Sequence, residues 1–197
     1  FRRVLFRSDV DAAVVNQNFK QVNDDPNMKT FVEPSGSPTV YFNKKNGIFT
    51  DVKMRQALNA ALDVSSIMEA AYSEDELYSL SHSYIHENFA DWYSTGGEEA
   101  YNQNDPEKAK QLLEEAGYDG ETITFLSTRD YEDYYNAAVV IQEQLSNIGV
   151  NVDIEVTDWA TLLDKRADPN QWDLFISGYN VKPQPIGLLP LDPEYPG

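Results

Sequence analysis

Between Asn104 and Val156 the spacing of apolar residues changes three times, and each change predicts a new element. Ala109, Leu112, Leu113 and Ala116 share one face at helical spacing. Asp105 stands where an N-cap belongs, Pro106 at the first helical position, and Gly117 supplies the stop. Thr122 to Leu126 then reads as a strand. Tyr131, Tyr134, Ala138, Ile141, Leu145 and Ile148 return to helical spacing, after which Val150, Val152, Ile154 and Val156 alternate with polar residues as a strand requires. Strand, crossover helix and strand make a βαβ unit.

The rest of the chain extends this alternation. Thr39 to Phe42 reads as a strand. Asp51 caps a helix with Met54, Leu58, Ala61 and Leu62 on one face, and Asp63 starts a separate helix carrying Ile67 and Ala71. Tyr72 to Asn104 is rich in Ser, Tyr, Asn and Gly, with a break at Gly96 and Gly97; so long an irregular stretch in a compact domain is generally functional or mobile. Asp158 can cap a helix with Trp159, Leu162 and Leu163 inward. Trp172 to Ser177 supplies a strand, Trp172, Leu174 and Ile176 on one face and Asp173, Phe175 and Ser177 on the other. Signals before Pro38 are weak: a short helix around Ala12 to Phe19, a turn at Asp24 to Asn27, a strand at Lys29 to Val32. Pro183, Pro185, Pro190, Pro193 and Pro196 make the tail extended.

Helices alternating with strands predict the α/β class, with a mixed or mostly parallel sheet flanked by helices on both faces. Ligands of such sheets sit beyond the carboxyl ends of the strands. That rule singles out two loops, Ser127 to Asp130 and Gly178 to Pro185.

Composition narrows the function classes. A chain of 197 residues, 41% hydrophobic, can bury a full core. Acidic residues outnumber Lys and Arg 33 to 15, for a formal charge of −18, so phosphate backbones are repelled and nucleic acid is not an expected partner. With no cysteine there is no disulfide, thiolate metal site or Cys nucleophile. No stretch approaches the roughly 18 apolar residues that span a bilayer, and no apolar run follows the N-terminal basic residues.

Four segments in order, DVKMRQALNAALD, NDPEKAKQLLEEAGYDG, IQEQLSNIGVNVDIEVTDW and QWDLFISGYN, resemble the peptide-binding lobe of family 5 bacterial extracellular solute-binding proteins. These are the oligopeptide, dipeptide and nickel receptors of ABC importers. The resemblance runs from about Thr39 to Gly197. It implies a type II periplasmic-binding-protein-like lobe at residues 39–197, with residues 9–38 closing a first lobe and crossing the hinge. Since such receptors are much longer and carry a signal peptide, it implies an internal fragment, truncated at its C-terminus. Residues 1–8, FRRVLFRS, have neither helix nor strand periodicity and read as non-native. The implied location is extracytoplasmic, in the periplasm or as a cell-surface lipoprotein, and any membrane anchor lies outside this chain. Implied partners are an oligopeptide, trapped by hinge closure of two lobes, and the permease subunits of an importer.

Arg129 lies in the turn STRDY between a strand and a helix N-terminus, where a guanidinium and the helix dipole can both attract a carboxylate. The alternative is a surface arginine paired with Asp130 or Asp133. The resemblance favours the ligand, because dipeptide-binding members place Arg-x-Tyr at this turn, matched here by Arg129 and Tyr131. A second candidate is Gly178, Tyr179, Asn180, Val181, Lys182. Family members commonly have Gly-Trp followed three residues after the aromatic by an Asp that pairs with a peptide's ammonium. Here Tyr179 replaces Trp and Lys182 the Asp, so the free N-terminus is recognised elsewhere or is absent from the ligand. For Tyr179 the alternative is ordinary packing at the sheet edge. Twelve tyrosines, with Tyr131, Tyr134 and Tyr135 clustered, suit contact with peptides of varied sequence, although Tyr134 and Tyr135 also fit a packed helix face.

Enzymatic signals are poor. His82 and His86 are four apart but lie in SHSYIHEN, which favours no helix and holds no HExxH, so no metal or other cofactor is expected. Glu98 with Glu99, Glu114 with Glu115, and Asp130 with Asp133 fall at exposed helix ends where solvated carboxylates are the default. No serine sits in GxSxG or beside a placed base. The expected activity is binding, not catalysis; a competing role is the ligand-sensing domain of a regulatory protein with the same fold.

Overall fold

Four aspartates decide where helices start in this protein. The computed structural model describes residues 19–32 and 36–180, and it divides into two compact units, Phe1–Glu33 and Pro34–Gly197. In the first unit, α1 (Phe19–Asn23) is followed by a turn in which Met28 N donates to Asp25 O at 3.0 Å. The helix expected at Ala12 to Phe19 lies outside the described residues except for Phe19. Lys29 to Val32 has no regular structure instead of the expected strand; Phe31 is 85% exposed and among the described residues no strand pairs with it.

In the second unit α2 (Val52–Ala61), α3 (Val64–Tyr72), α4 (Pro106–Ala116) and α6 (Trp159–Arg166) each begin behind an aspartate, Asp51, Asp63, Asp105 and Asp158. Each carboxylate accepts a backbone N–H of the first turn, as Asp105 does from Lys108. Gly117 ends α4 with φ 72°, a left-handed conformation that costs glycine little. The longest helix, α5 (Glu132–Ser146), starts differently: Tyr131 occupies its N-cap and makes no side-chain cap bond.

Four strands, β1 (Gly36–Phe42), β2 (Thr122–Thr128), β3 (Asn151–Thr157) and β4 (Leu174–Asn180), form one sheet in the order β1-β4-β2-β3. β4 runs antiparallel to β1 and parallel to β2, and β2 runs parallel to β3. The four strands expected from Thr39 onward are therefore in a single mixed sheet. β4 begins two residues later than expected, and it ends later because β1 begins earlier: Gly36, Ser37 and Pro38 pair with Asn180, Tyr179 and Gly178. Proline is tolerated there because β1 is an edge strand.

Helices cover both faces. Ile123, Phe125, Leu174 and Ile176 pack with α2, α3, α4 and α5 through Met54, Leu58, Ile67, Leu113, Ile141 and Leu145. On the opposite face Leu126 and Phe175 pack with Tyr41, Trp172 and Leu162 of α6. Trp172 thus belongs with Phe175, not with Leu174 and Ile176 as alternation predicted, because it precedes the strand and its ring turns edge-on to Phe175 at 4.8 Å. No helix among the described residues is long and apolar enough to cross a membrane.

The register of β4 is set at its start. Asp173 N donates to Thr124 O (3.0 Å), Thr124 N donates to the Asp173 carboxylate (2.8 Å), and Asn43 N donates to Asp173 O (2.9 Å). Asn43, 1% exposed, donates its amide to Pro169 O and Trp172 O and accepts from the backbone N–H groups of Lys45 and Asn46. Burial holds the Asp173 carboxyl above its usual 3.8, against a smaller opposing pull from the Thr124 N–H. A carboxyl whose folded pKa is raised contributes stability below the unfolded value, and that contribution is lost as pH rises through the folded one. Asp173→Asn keeps an acceptor for Thr124 and removes the buried charge. Its urea midpoint relative to wild type is expected to climb as pH rises from the unfolded value, 3.8, through the raised folded one; a difference that stays flat with pH contradicts this account of Asp173.

Candidate functional site

The connections of the sheet create a switch point between β2 and β3. From β2 the chain passes into α5 on one face, and from β3 into α6 on the other. Where loops from adjacent parallel strands leave toward opposite faces, the ends of the strands are left open to a ligand. Arg129, Asp130 and Tyr131 come from the first loop, and Asp158 and Trp159 from the second.

The two loops are tied together. Asp130 N donates to Thr128 Oγ1 (3.1 Å), and the Asp130 carboxylate accepts from Trp159 N at 2.7 Å. The Trp159 ring meets Tyr131 edge-on at 5.0 Å and Tyr134 at 6.2 Å, while Tyr131 and Tyr134 lie 5.3 Å apart. Tyr131 is 44% exposed. Tyr134 is half-buried, and burial, Asp133 and Tyr131 push its hydroxyl up to about 12, so it is a neutral hydrogen-bonding group at physiological pH.

Arg129 is exposed, and its guanidinium lies over the Tyr135 ring, 3.9 Å from the centroid. Of the neighbouring carboxylates, Asp130 accepts from Trp159 N and Asp133 from the Tyr72 hydroxyl at 3.2 Å, while Glu132 is exposed in the first turn of α5. Burial, followed by Asp133, raises the Tyr72 hydroxyl well above its ordinary value, so it stays protonated and donates. Among the described residues Arg129 makes no ion pair. Beside it the first turn of α5 lacks a side-chain cap, unlike α2, α3, α4 and α6. A cation without a counterion next to uncapped helix N–H groups is a place for a carboxylate.

The sequence candidates are only partly brought together. Arg129 and Tyr131 share the β2–α5 turn. Ser127 and Thr128, expected in that loop, are instead the buried end of β2. Gly178, Tyr179 and Asn180 likewise belong to β4 rather than to a loop. Tyr179 is half-buried and donates to Tyr84 O at 3.4 Å, its ring 6.0 Å from Tyr84, so it packs on the irregular segment and not against Arg129. Asn180 is exposed opposite Gly36. Lys182 lies outside the described residues.

Trp159 and Asp130 were not singled out by sequence. Trp159 shares helical spacing with Leu162 and was expected inward; it is half-buried, with Tyr131 on one side and the Leu162 cluster on the other. The available signal was its place one residue past an N-cap that itself follows the end of a parallel strand. His82 is not helical, and its ring Nε2 donates to Ser94 O at 3.0 Å. Among the described residues no cluster of His, Asp and Glu is placed to hold a metal. Of the acidic pairs, Glu115 is held below the usual carboxylate range by its hydrogen bond from Lys53.

Residues 7–188 match the family model described as bacterial extracellular solute-binding proteins, family 5 middle. The chain is 31% identical over 170 residues to a probable peptide ABC transporter periplasmic-binding protein of Sinorhizobium fredii, covering 79% of the chain and 31% of that protein. It is 31% identical over 159 residues to the oligopeptide-binding protein AppA of Bacillus subtilis, covering 73% and 28%. Among solved structures, a dipeptide-binding protein from Pseudoalteromonas in complex with Met-Leu superposes with a TM-score of 0.71 at 24% identity, over 85% of this chain and 33% of that one. AppA of B. subtilis in complex with a nonapeptide gives 0.61 at 25%, over 86% and 36%. These likenesses show the fold, a type II binding-protein lobe with a mixed sheet flanked by helices. The chain spans about a third of the length of the relatives it matches.

One contact in the site can be tested by itself. A Cβ on Gly178 would stand 2.5 Å from the Tyr134 hydroxyl oxygen and 3.3 Å from Ser37 O. Gly178→Ala is expected to cost about 1–3 kcal/mol, the range for overpacking. Adding Tyr134→Phe removes the colliding oxygen and leaves the ring carbon at an ordinary 3.6 Å, so the double variant should recover most of that loss in urea unfolding. A double variant no more stable than Gly178→Ala contradicts the contact.

Proposed function

This chain belongs to the bacterial extracellular solute-binding proteins of family 5, and on that premise we propose that it is the ligand-binding lobe of an extracytoplasmic receptor that delivers oligopeptides to an ABC importer. The observation that carries the reading is Arg129, whose charge, among the described residues, makes no ion pair and lies over an aromatic face at the switch point of the sheet, beside the uncapped start of α5. A peptide's carboxylate supplies the missing anion and bonds to the guanidinium in bidentate fashion. Tyr131 flanks it. Closure of a second lobe over this surface would exclude water and strengthen the pair, and the closed form would dock on the permease subunits. The names of the relatives, a periplasmic-binding protein and an oligopeptide-binding protein, support the peptide ligand and the extracytoplasmic location. At the other end of the ligand, Lys182 stands where family members carry an aspartate, so the reading includes rejection of a free ammonium there.

In the complete gene product, Arg129→Ala is expected to weaken binding of a tetra-alanine peptide by about 1.5–3 kcal/mol, the range for a hydrogen bond to a charged group. Lys182→Asp should shift preference from acetylated toward free N-termini. Calorimetry with acetylated and unblocked peptides reads both. Affinities that neither substitution changes would contradict the assignment of both residues.

A further inference from the structure

We propose that Trp159 and Tyr131 form a subsite for the side chain of the ligand's C-terminal residue and select peptides that end in an aromatic residue. The inference rests on the reading that Arg129 takes the peptide carboxylate, and goes beyond it by naming which peptides are preferred.

The first argument comes from the N-caps. Four helices of the second unit are capped by aspartate, and only α5 has a tyrosine there, with no cap bond. An aspartate at that position would satisfy the α5 N–H groups and would also compete with a ligand for Arg129. Tyr131 does neither. It contributes a ring, 44% exposed, beside the charge.

The second argument is that the rings are fixed before a ligand arrives. Trp159 is held through its backbone N–H by the Asp130 carboxylate, and Asp158 caps the helix that carries it. The Trp159 ring joins the cluster of Leu126, Leu162 and Phe175 on one side and meets Tyr131 on the other. Tyr134 supports both rings and is itself held with its hydroxyl against Gly178. A surface so constrained loses little freedom on binding.

The third argument is placement. Arg129 and Tyr131 are two residues apart in one turn, and the guanidinium is steadied by Tyr135, one helical turn beyond Tyr131. A ligand residue whose carboxylate is held by Arg129 would have its side chain near the turn that also carries Tyr131, the ring that meets Trp159. Aromatic rings pair edge-on or offset with centroids roughly 4.5–7 Å apart; Tyr131 and Trp159 already pair so at 5.0 Å, and the exposed part of the Tyr131 ring is left for a third ring. Charge and ring complementarity together specify an aromatic residue with a free carboxylate.

The test uses the complete gene product and three N-acetylated peptides: Ala-Ala-Ala-Phe, Ala-Ala-Ala-Ala, and the C-terminal amide of the first. Calorimetry should give about tenfold tighter binding for the Phe peptide than for tetra-alanine, in line with an added aromatic contact, and a clear loss on amidation. Tyr131→Ala, and separately Trp159→Leu, which keeps apolar bulk against Leu162, should each bring the ratio of the Phe-peptide and tetra-alanine affinities from about ten to near one. Equal affinity for the two free-acid peptides in the wild type overturns the subsite and leaves the peptide reading standing. A Phe preference that survives both substitutions lies elsewhere and also overturns it. Failure of folded protein to bind any of the peptides overturns the peptide reading, and this inference with it.

Discussion

Asp173 decides where every residue at the far end of the sheet stands. Its backbone and carboxylate engage both backbone groups of Thr124 on β2, while its carbonyl receives Asn43 N at the end of β1. β4 is thereby pinned between two strands of opposite direction, and a slip by one residue, which would turn each side chain to the other face, is opposed at three hydrogen bonds. Asn43 reinforces the pin with four bonds of its own side chain. From that origin five residues of β4 bring Gly178 under the Tyr134 hydroxyl and turn Tyr179 toward Tyr84. The cost is a carboxylate kept partly out of water, which raises its pKa.

At the opposite end the constraint is electrostatic. A chain of charge −18 has acidic groups to spare, yet of the three carboxylates that follow Arg129 within four residues Asp130 accepts from Trp159 N, Asp133 accepts from Tyr72, and none forms an ion pair with it. The arrangement keeps a cation available in an acidic protein. Asp130 serves twice, withholding its charge from Arg129 and joining the two loops that leave the switch point. Tyr135 supports the guanidinium by its ring face, an attraction too weak to compete with an incoming carboxylate.

Local signals made most of the fold legible in sequence. Asp105, Pro106 and Gly117 fix both ends of α4, Asp51 and Asp63 separate α2 from α3, and the alternation at Val152 and Ile154 marks the edge strand β3, whose two faces differ in exposure. What was misread depends on partners distant in the chain. The extent of β4 is set by pairing with Gly36 to Pro38, and its alternation hides that both faces are buried, so Trp172 was given to the wrong side. Arg129 and Tyr131 were visible because one turn contains them. Trp159 joins them only because β3 pairs beside β2 in parallel, which brings the ends of both strands together, and its helical spacing with Leu162 reads equally well as core. Tyr179 was placed with the site by sequence, but its face of β4 carries it to the irregular segment.

The central claim is that peptide binds at the β2–α5 and β3–α6 turns. Hydrogen–deuterium exchange on the complete gene product, with and without saturating N-acetylated Ala-Ala-Ala-Phe, tests it most directly. Amide protection is expected in residues 129–135 and 158–160, with little change at the start of β4, whose amides are already bonded. Binding of the peptide with no added protection in those two segments would contradict the account.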